Sequence, residues 1–211
     1  MFRAYQKNIA IPSIIKIGEG ELNKIGSYLK SANISNVACF YSLGIKDLVG
    51  QTIEAGLKKA AVTCLYEDNI DDINIENIMK TAFGIPKSVD ALIGIGGGKA
   101  LDYSKYAAHV LSLPFISVPT STSNDGFCSP LSSLLVAGKR KSVDSSIPYG
   151  VIADINVIAT SPERCVYSGI GDLVSKITAG YDWKLAEEKN NEYYSDFAYF
   201  ISIDSVSDVV E

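Results

Sequence analysis

The sequence predicts an α/β fold: a parallel sheet flanked by helices over residues 1–160, followed by the beginning of an all-helical domain over residues 161–211. Three observations predict it. Short apolar runs rich in β-branched residues alternate with longer stretches whose apolar residues recur at three- and four-residue spacing, the rhythm of strands and helices wound about a parallel sheet. One of those runs, Leu92-Ile93-Gly94-Ile95, passes into three consecutive glycines and then a helical stretch. From Ser161-Pro162-Glu163 onward the strand pattern stops and only helical periodicity continues.

Taken in order, strands are expected at residues 37–42, 62–67, 91–95, 115–119 and 150–153, each a compact β-branched run bounded by polar or turn residues. Helices are expected between them at residues 20–31, 45–58, 74–83 and 99–111. Residues 131–136 and 141–145 read as a short antiparallel hairpin closed by Ala137-Gly138-Lys139-Arg140, a turn containing glycine. Ser161 is the expected N-cap of the next helix, with Pro162 at its first position, where a fixed φ and a missing N–H cost nothing. The final stretch, residues 193–211, is amphipathic and reaches the last residue without a Gly or Pro stop, so the helical part is expected to be incomplete and the chain a piece of a longer protein.

The totals narrow the function. With 211 residues, 47% of them hydrophobic, the chain has enough apolar material for a sizeable core. A formal charge of -5, with basic residues scattered apart from Lys139-Arg140-Lys141, argues against a nucleic-acid partner. Residues 1–8 lack a continuous apolar leader, and no run reaches the roughly 18 apolar residues of a membrane span, so no membrane span and a cytoplasmic location are expected. The four cysteines, Cys39, Cys64, Cys128 and Cys165, form no Cys-x-x-Cys pair and are expected to be reduced and mostly buried.

Three constellations carry chemistry. The first is Gly96-Gly97-Gly98-Lys99-Ala100-Leu101-Asp102 at a strand–helix junction. Glycines allow a ligand to approach the backbone, and the first N–H groups of a helix favour an anion such as phosphate. A Gly-x-Gly-x-x-Gly fingerprint would need glycine at Lys99, and a Walker A loop would need Ser or Thr at Ala100. Glycines at such a junction also serve the chain reversal itself. The second is the hydroxyl-rich loop Pro119-Thr120-Ser121-Thr122-Ser123-Asn124-Asp125-Gly126, which follows the next strand and so falls at the same end of the sheet, where open parallel sheets bind ligands. A capped surface turn is the simpler reading of that run. The third is Gly169-Ile170-Gly171-Asp172 in the helical part, where Asp172 is either a helix cap or a metal ligand. His109, the one histidine, lies about three turns beyond the glycine loop, so a packing or surface role is expected. The aromatic group Tyr193, Tyr194, Phe197, Tyr199 and Phe200 is expected to serve helix packing.

Together, Gly-Gly-Gly-Lys-x-x-Asp at 96–102, Pro-Thr-Ser-x-Ser-x-Asp-Gly at 119–126 and Gly-x-Gly-Asp at 169–172 resemble the iron-type alcohol dehydrogenase and dehydroquinate synthase superfamily, most closely its glycerol-1-phosphate dehydrogenase branch. Residues 115–121, 172–183 and 192–195 look like that branch, and residues 11–20 look like the family's opening strand and turn. The resemblance implies a Rossmann-like dinucleotide-binding domain over residues 1–160 and the beginning of a helical metal and substrate domain over 161–211. It implies NAD or NADP held by Gly96, Gly97, Gly98, Lys99, Ala100, Leu101 and Asp102, with Thr120, Ser121, Thr122, Ser123 and Ser129 along the nicotinamide side. Asp125 would contact substrate, and Asp172 both substrate and a divalent metal, zinc in this branch, acting as a Lewis acid. The implied reaction passes a hydride between the cofactor and the secondary alcohol carbon of glycerol 1-phosphate.

Three departures stand out. Asn124 replaces the histidine common in the phosphate-specific branch. Tyr41-Ser42 stands where many relatives carry an acid for the adenine ribose, leaving NAD against NADP open. No histidine follows His109, whereas relatives complete the metal shell with two from the later helices. The alternatives are a glycerol dehydrogenase of the same superfamily, a nucleotide-binding module without catalysis, and a sugar-phosphate cyclase of the dehydroquinate synthase type. Oligomeric state is left open, a homo-oligomer included.

Overall fold

The computed structural model describes residues 10–210; the N-terminal octet read above for an apolar leader, and Glu211 at the end of the expected last helix, lie outside them. The chain divides into two compact units, one of residues 1–121 and 126–160 and the other of residues 122–125 and 161–211.

The first unit is built on six strands, β1 (Ile14–Gly18), β2 (Asn36–Ser42), β3 (Thr63–Ile70), β4 (Ala91–Gly96), β5 (Phe115–Pro119) and β8 (Gly150–Asp154), all parallel in the order β1-β8-β5-β4-β2-β3. Its helices are α1 (Ile25–Ser31), α2 (Ile45–Lys59), α3 (Ile75–Gly84), α4 (Gly98–Leu111) and the single turn α5 (Ile155–Ile158). The period of two along β2 sorts the core: Val37, Cys39 and Tyr41 pack with Ile25 and Leu29 of α1 and Ile53 and Leu57 of α2. Ala38 and Phe40 turn the other way, onto Ile78 of α3 and Leu101 of α4. Apolar side chains on both faces of β4 and β5 explain why those strands read as unbroken apolar runs. β3, at an edge, carries Glu67, Asp68 and Asn69 and runs three residues past its expected end, to Ile70, because an edge strand tolerates polar side chains.

β1 gains its place from the far end of the unit. It pairs with β8 from Ile14↔Gly150 to Gly18↔Asp154. The buried carboxylate of Asp154 accepts N–H bonds from Gly20 at 3.1 Å, Leu22 at 3.0 Å and, as the N-cap of α5, Asn156 at 3.1 Å. The helical stretch expected over residues 20–31 therefore starts as a 3-10 turn, Glu21–Lys24, before α1.

A hairpin of β6 (Leu131–Val136) and β7 (Lys139–Asp144) rises beside α4, with Leu134 buried in the α3/α4 core. Its turn is shorter than the sequence suggests. Only Ala137 and Gly138 lie between the strands, at φ 50 and φ 74, the left-handed pair that suits strand twist, and Lys139-Arg140 already belong to β7.

The second unit contains α6 (Glu163–Asn190) and α7 (Asp196–Val210). Its start corrects one expectation: the N-cap position belongs to Pro162, with ψ 137, and the Ser161 hydroxyl caps nothing. The extended ψ of Pro162 delays the helix to Glu163. Residues 193–195 form the connection rather than the last helix, and Trp183 Nε1 donates to Tyr193 O at 2.7 Å while its ring meets Tyr194 at 4.8 Å. Phe197 and Phe200 are exposed. The cysteines also depart from expectation: Cys39 is buried, Cys128 and Cys165 are half-buried and Cys64 is exposed, because Cys64 sits on the edge strand β3.

Candidate functional site

Chain direction in the sheet splits between β2 and β4: β3 lies on one side, β5 and β8 on the other. At such a switch point the loops after adjacent strands diverge and leave a crevice at their carboxyl ends. Register brings Tyr41 beside Ile95, so Ser42 and Gly96 end their strands side by side. Gly96 has φ 142, and a Cβ on it would stand 2.2 Å from Ser42 Oγ, so only glycine fits. Ser42 Oγ accepts the N–H of Gly97 at 3.1 Å, and Gly96 O accepts the N–H of Thr120 at 3.1 Å. Three loops are thereby stitched together at one point.

α4 starts from that point. Gly97 is its N-cap, with no side chain capping it, so the N–H groups of Gly98, Lys99 and Ala100 have no intrahelical acceptor. A Cβ at Gly97 would meet nothing nearer than Ser121 Oγ at 4.0 Å, so the space over the loop is open. Open space, unpaired donors and a helix dipole fit a diphosphate. The exposed Lys99 ammonium lies 3.5 Å from Asp71 O at the edge of the same end.

The last two residues of the glycine constellation face the fold. Leu101 is buried and its N–H donates to Gly97 O at 3.2 Å. Asp102 accepts the Ser133 N–H of β6 at 3.2 Å and pairs with the fully buried Lys105 at 3.2 Å. Lys105 in turn donates to Gly126 O at 2.8 Å, so this pair ties the hairpin and the loop after Thr120 to α4. Burial holds the Asp102 carboxyl above the usual carboxylate range, outweighing the nearby Lys105 ammonium. Sequence reading gave Lys105 no role; its signal is the Asp102-x-x-Lys105 spacing on an otherwise apolar helix face. Thr120 is buried at the end of β5, and Ser129 hydrogen-bonds within its own turn to Leu131 O at 3.2 Å.

In the second unit, residues 122–125 lie on α6. A Cβ at Gly169 would stand 1.9 Å from Thr122 O, so the missing side chain is what admits the segment. Ser168 Oγ donates to Ser123 O at 2.9 Å, and the Asp125 N–H donates to Asp172 Oδ2 at 3.1 Å. Asp172 sits well inside α6, which removes the helix-cap reading of that residue. One turn on, Lys176 Nζ meets Asp125 Oδ2 at 2.7 Å, and that hydrogen bond raises the Lys176 pKa above its ordinary value. The i, i+4 spacing of Asp172 and Lys176 is the sequence signal for this cluster. Asn124 is exposed, its amide reaching Ser123 Oγ at 3.3 Å.

Among the described residues no group of three His, Cys, Asp or Glu side chains could hold a metal ion. Two carboxylates beside one ammonium do not make the shell of three or four protein ligands that a zinc site needs, so these residues alone do not fit one. His109 is exposed at the far end of α4 with Nδ1 3.0 Å from Ser146 Oγ, the surface role expected of it. No helix among the described residues is long and apolar enough to cross a membrane.

These features define a doubly wound α/β protein with an open glycine loop at its switch point, followed in the chain by a helical unit. The chain belongs to the iron-containing alcohol dehydrogenase family, whose model matches residues 16–162. It is 37% identical over 200 residues to a glycerol-1-phosphate dehydrogenase [NAD(P)+] from Metallosphaera sedula, covering 92% of this chain and 56% of that one. It is 34% identical over 205 residues to the protein of the same name from Thermococcus sibiricus, covering 95% of this chain and 57% of that one. The chain thus spans just over half the length of these curated relatives. Among solved structures, an NADH-dependent butanol dehydrogenase A from Thermotoga maritima superimposes with a TM-score of 0.73 at 21% identity, over 96% of this chain and 56% of that one. A glycerol dehydrogenase from Schizosaccharomyces pombe gives 0.70 at 24% identity, over 81% of this chain and 44% of that one.

Proposed function

We propose that the protein is an NAD(P)-dependent oxidoreductase that interconverts glycerol 1-phosphate and dihydroxyacetone phosphate. The observation that carries the reading is the open glycine loop at the switch point, with the N–H groups of Gly98, Lys99 and Ala100 unpaired above Ser42 and Gly96. The polyol phosphate comes from the names of the relatives at 32–37% identity.

In this reading Gly96, Gly97, Gly98, Lys99 and Ala100 present backbone to the cofactor diphosphate. Leu101 and Asp102 act indirectly, by seating α4 and the hairpin. Thr120, Ser121, Thr122, Ser123 and Ser129 offer hydroxyls along the cofactor. Nicotinamide, when bound, supplies the site that accepts or gives the hydride. Asp125 accepts a hydrogen bond from a substrate hydroxyl, and Asp172 orients Asp125 through its N–H while facing substrate itself. Asp172 also offers one carboxylate toward a divalent ion, with zinc the ion to test first, although the described donors do not complete a shell.

The test is twofold. The 211-residue chain should quench or enhance NADH or NADPH fluorescence on binding, with the nucleotide diphosphate found against residues 96–100 in a soaked crystal. The natively encoded protein should oxidise glycerol 1-phosphate faster than glycerol. Equal or greater activity on glycerol would instead identify a polyol dehydrogenase, and ring closure without net cofactor turnover would identify a cyclase.

A further inference from the structure

Lys176 has no part in the reaction as outlined, yet it is the cation in contact with Asp125. Its ammonium lies 2.7 Å from Asp125 Oδ2, and the two side chains keep 30% and 57% of their surface, so both remain reachable from solvent. The Asp125 N–H to Asp172 Oδ2 bond at 3.1 Å draws the second carboxylate into the same cluster, which carries one more negative than positive charge. α6 fixes the spacing, because Asp172 and Lys176 are one turn apart on one face. The other basic residues of α6, Arg164, Lys184 and Lys189, are eight or more residues from Asp172 or Lys176, about 12 Å or more along the axis, and cannot replace it.

A neutral polyol asks only for hydrogen-bond acceptors, which two carboxylates supply. A phosphate ester brings close to two negative charges and, wherever no cation other than Lys176 stands beside them, is repelled by the same pair. An ammonium has three donors, so Lys176 can keep Asp125 and still donate to a phosphate oxygen. We propose that Lys176 is the specificity-determining residue of this cluster, the one that allows the Asp125–Asp172 pair to accept a phosphate-bearing polyol. The proposal rests on the substrate reading given above for Asp125 and Asp172.

The natively encoded protein and its Lys176→Met and Lys176→Arg variants should be assayed with glycerol 1-phosphate and with glycerol, and titrated calorimetrically with inorganic phosphate. Loss of one charge-assisted hydrogen bond should raise the KM for glycerol 1-phosphate about tenfold to a hundredfold in Lys176→Met. The ratio of the two KM values should rise at least about tenfold, phosphate binding should weaken in parallel, and arginine should restore most of both. An equal loss on both substrates would show that Lys176 only positions Asp125 and would overturn the proposal, as would unchanged phosphate binding. If the unaltered protein prefers glycerol or turns over neither substrate, the proposed function fails; the phosphate titration then decides the role of Lys176 by itself.

Discussion

Replacing Gly96 with alanine is expected to unseat the glycine loop, and the cost can be worked from two independent sources. Gly96 has φ 142, a conformation that L side chains rarely adopt, and forcing alanine into it costs about 1–3 kcal/mol. The added methyl would also stand 2.2 Å from Ser42 Oγ and 2.6 Å from Ser42 Cβ. Rotating Oγ away breaks its bond to the Gly97 N–H, and the Cβ can move only with β2, so overpacking adds about 1–3 kcal/mol. The total, about 2–6 kcal/mol, should appear in urea unfolding of the chain and, because the displaced groups border the free N–H groups of α4, as at least a tenfold weaker NADH titration. The double variant Gly96→Ala with Ser42→Gly removes Oγ and Cβ together. It should recover roughly the steric half and leave the conformational half. A single variant within about 0.5 kcal/mol of the parent would refute the reasoning, and so would a double variant no better than the single one.

Two further outcomes follow from groups that hold the loops. Burial raises the Asp102 pKa in the folded state above its unfolded value, so the native protein holds more protons and Asp102 makes stability fall as pH rises from about 4 through the folded pKa. The stability difference between the parent and Asp102→Asn should therefore shrink as pH rises above about 4, read by urea unfolding at each pH; a difference that grows with pH would contradict the sign. Gly169→Ala should destabilise the helical unit by about 1–3 kcal/mol, because its methyl would stand 1.9 Å from Thr122 O, and thermal unfolding with an unchanged midpoint would count against that close approach.

How far the sequence could be read depended on whether a feature was local. Phe115–Pro119 is found where its apolar run predicts it, and Ala91–Gly96 extends one glycine beyond its expected end, because both are buried on two faces and bounded by polar or turn residues. β1 left no such pattern: Ile15 and Ile17 are exposed at the sheet edge, and only likeness to relatives marked it. Ser161 misled because hydroxyl and proline order suggested a cap, while the extended ψ of Pro162 moved the helix start one residue on. Within the candidate site, the glycine run at 96–98 was legible as a strand–helix junction, since the φ of Gly96 admits few residue types other than glycine. The distant partners of Ser42, Lys105 and Lys176 were not legible, since folding brings each from 21 to 55 residues away.

The pairing of β1 with β8 also sets an order of events during synthesis. Gly18 has no strand beside it until Asp154 has left the ribosome. At about 5–20 residues per second that interval is on the order of ten seconds. Through it, β1 is a loose end with two exposed isoleucines, Ile15 and Ile17, open to capture by a chaperone or by a neighbouring nascent chain. Closure of the Asp154 carboxylate over the backbone of Gly20 and Leu22 then joins residues made well apart in time.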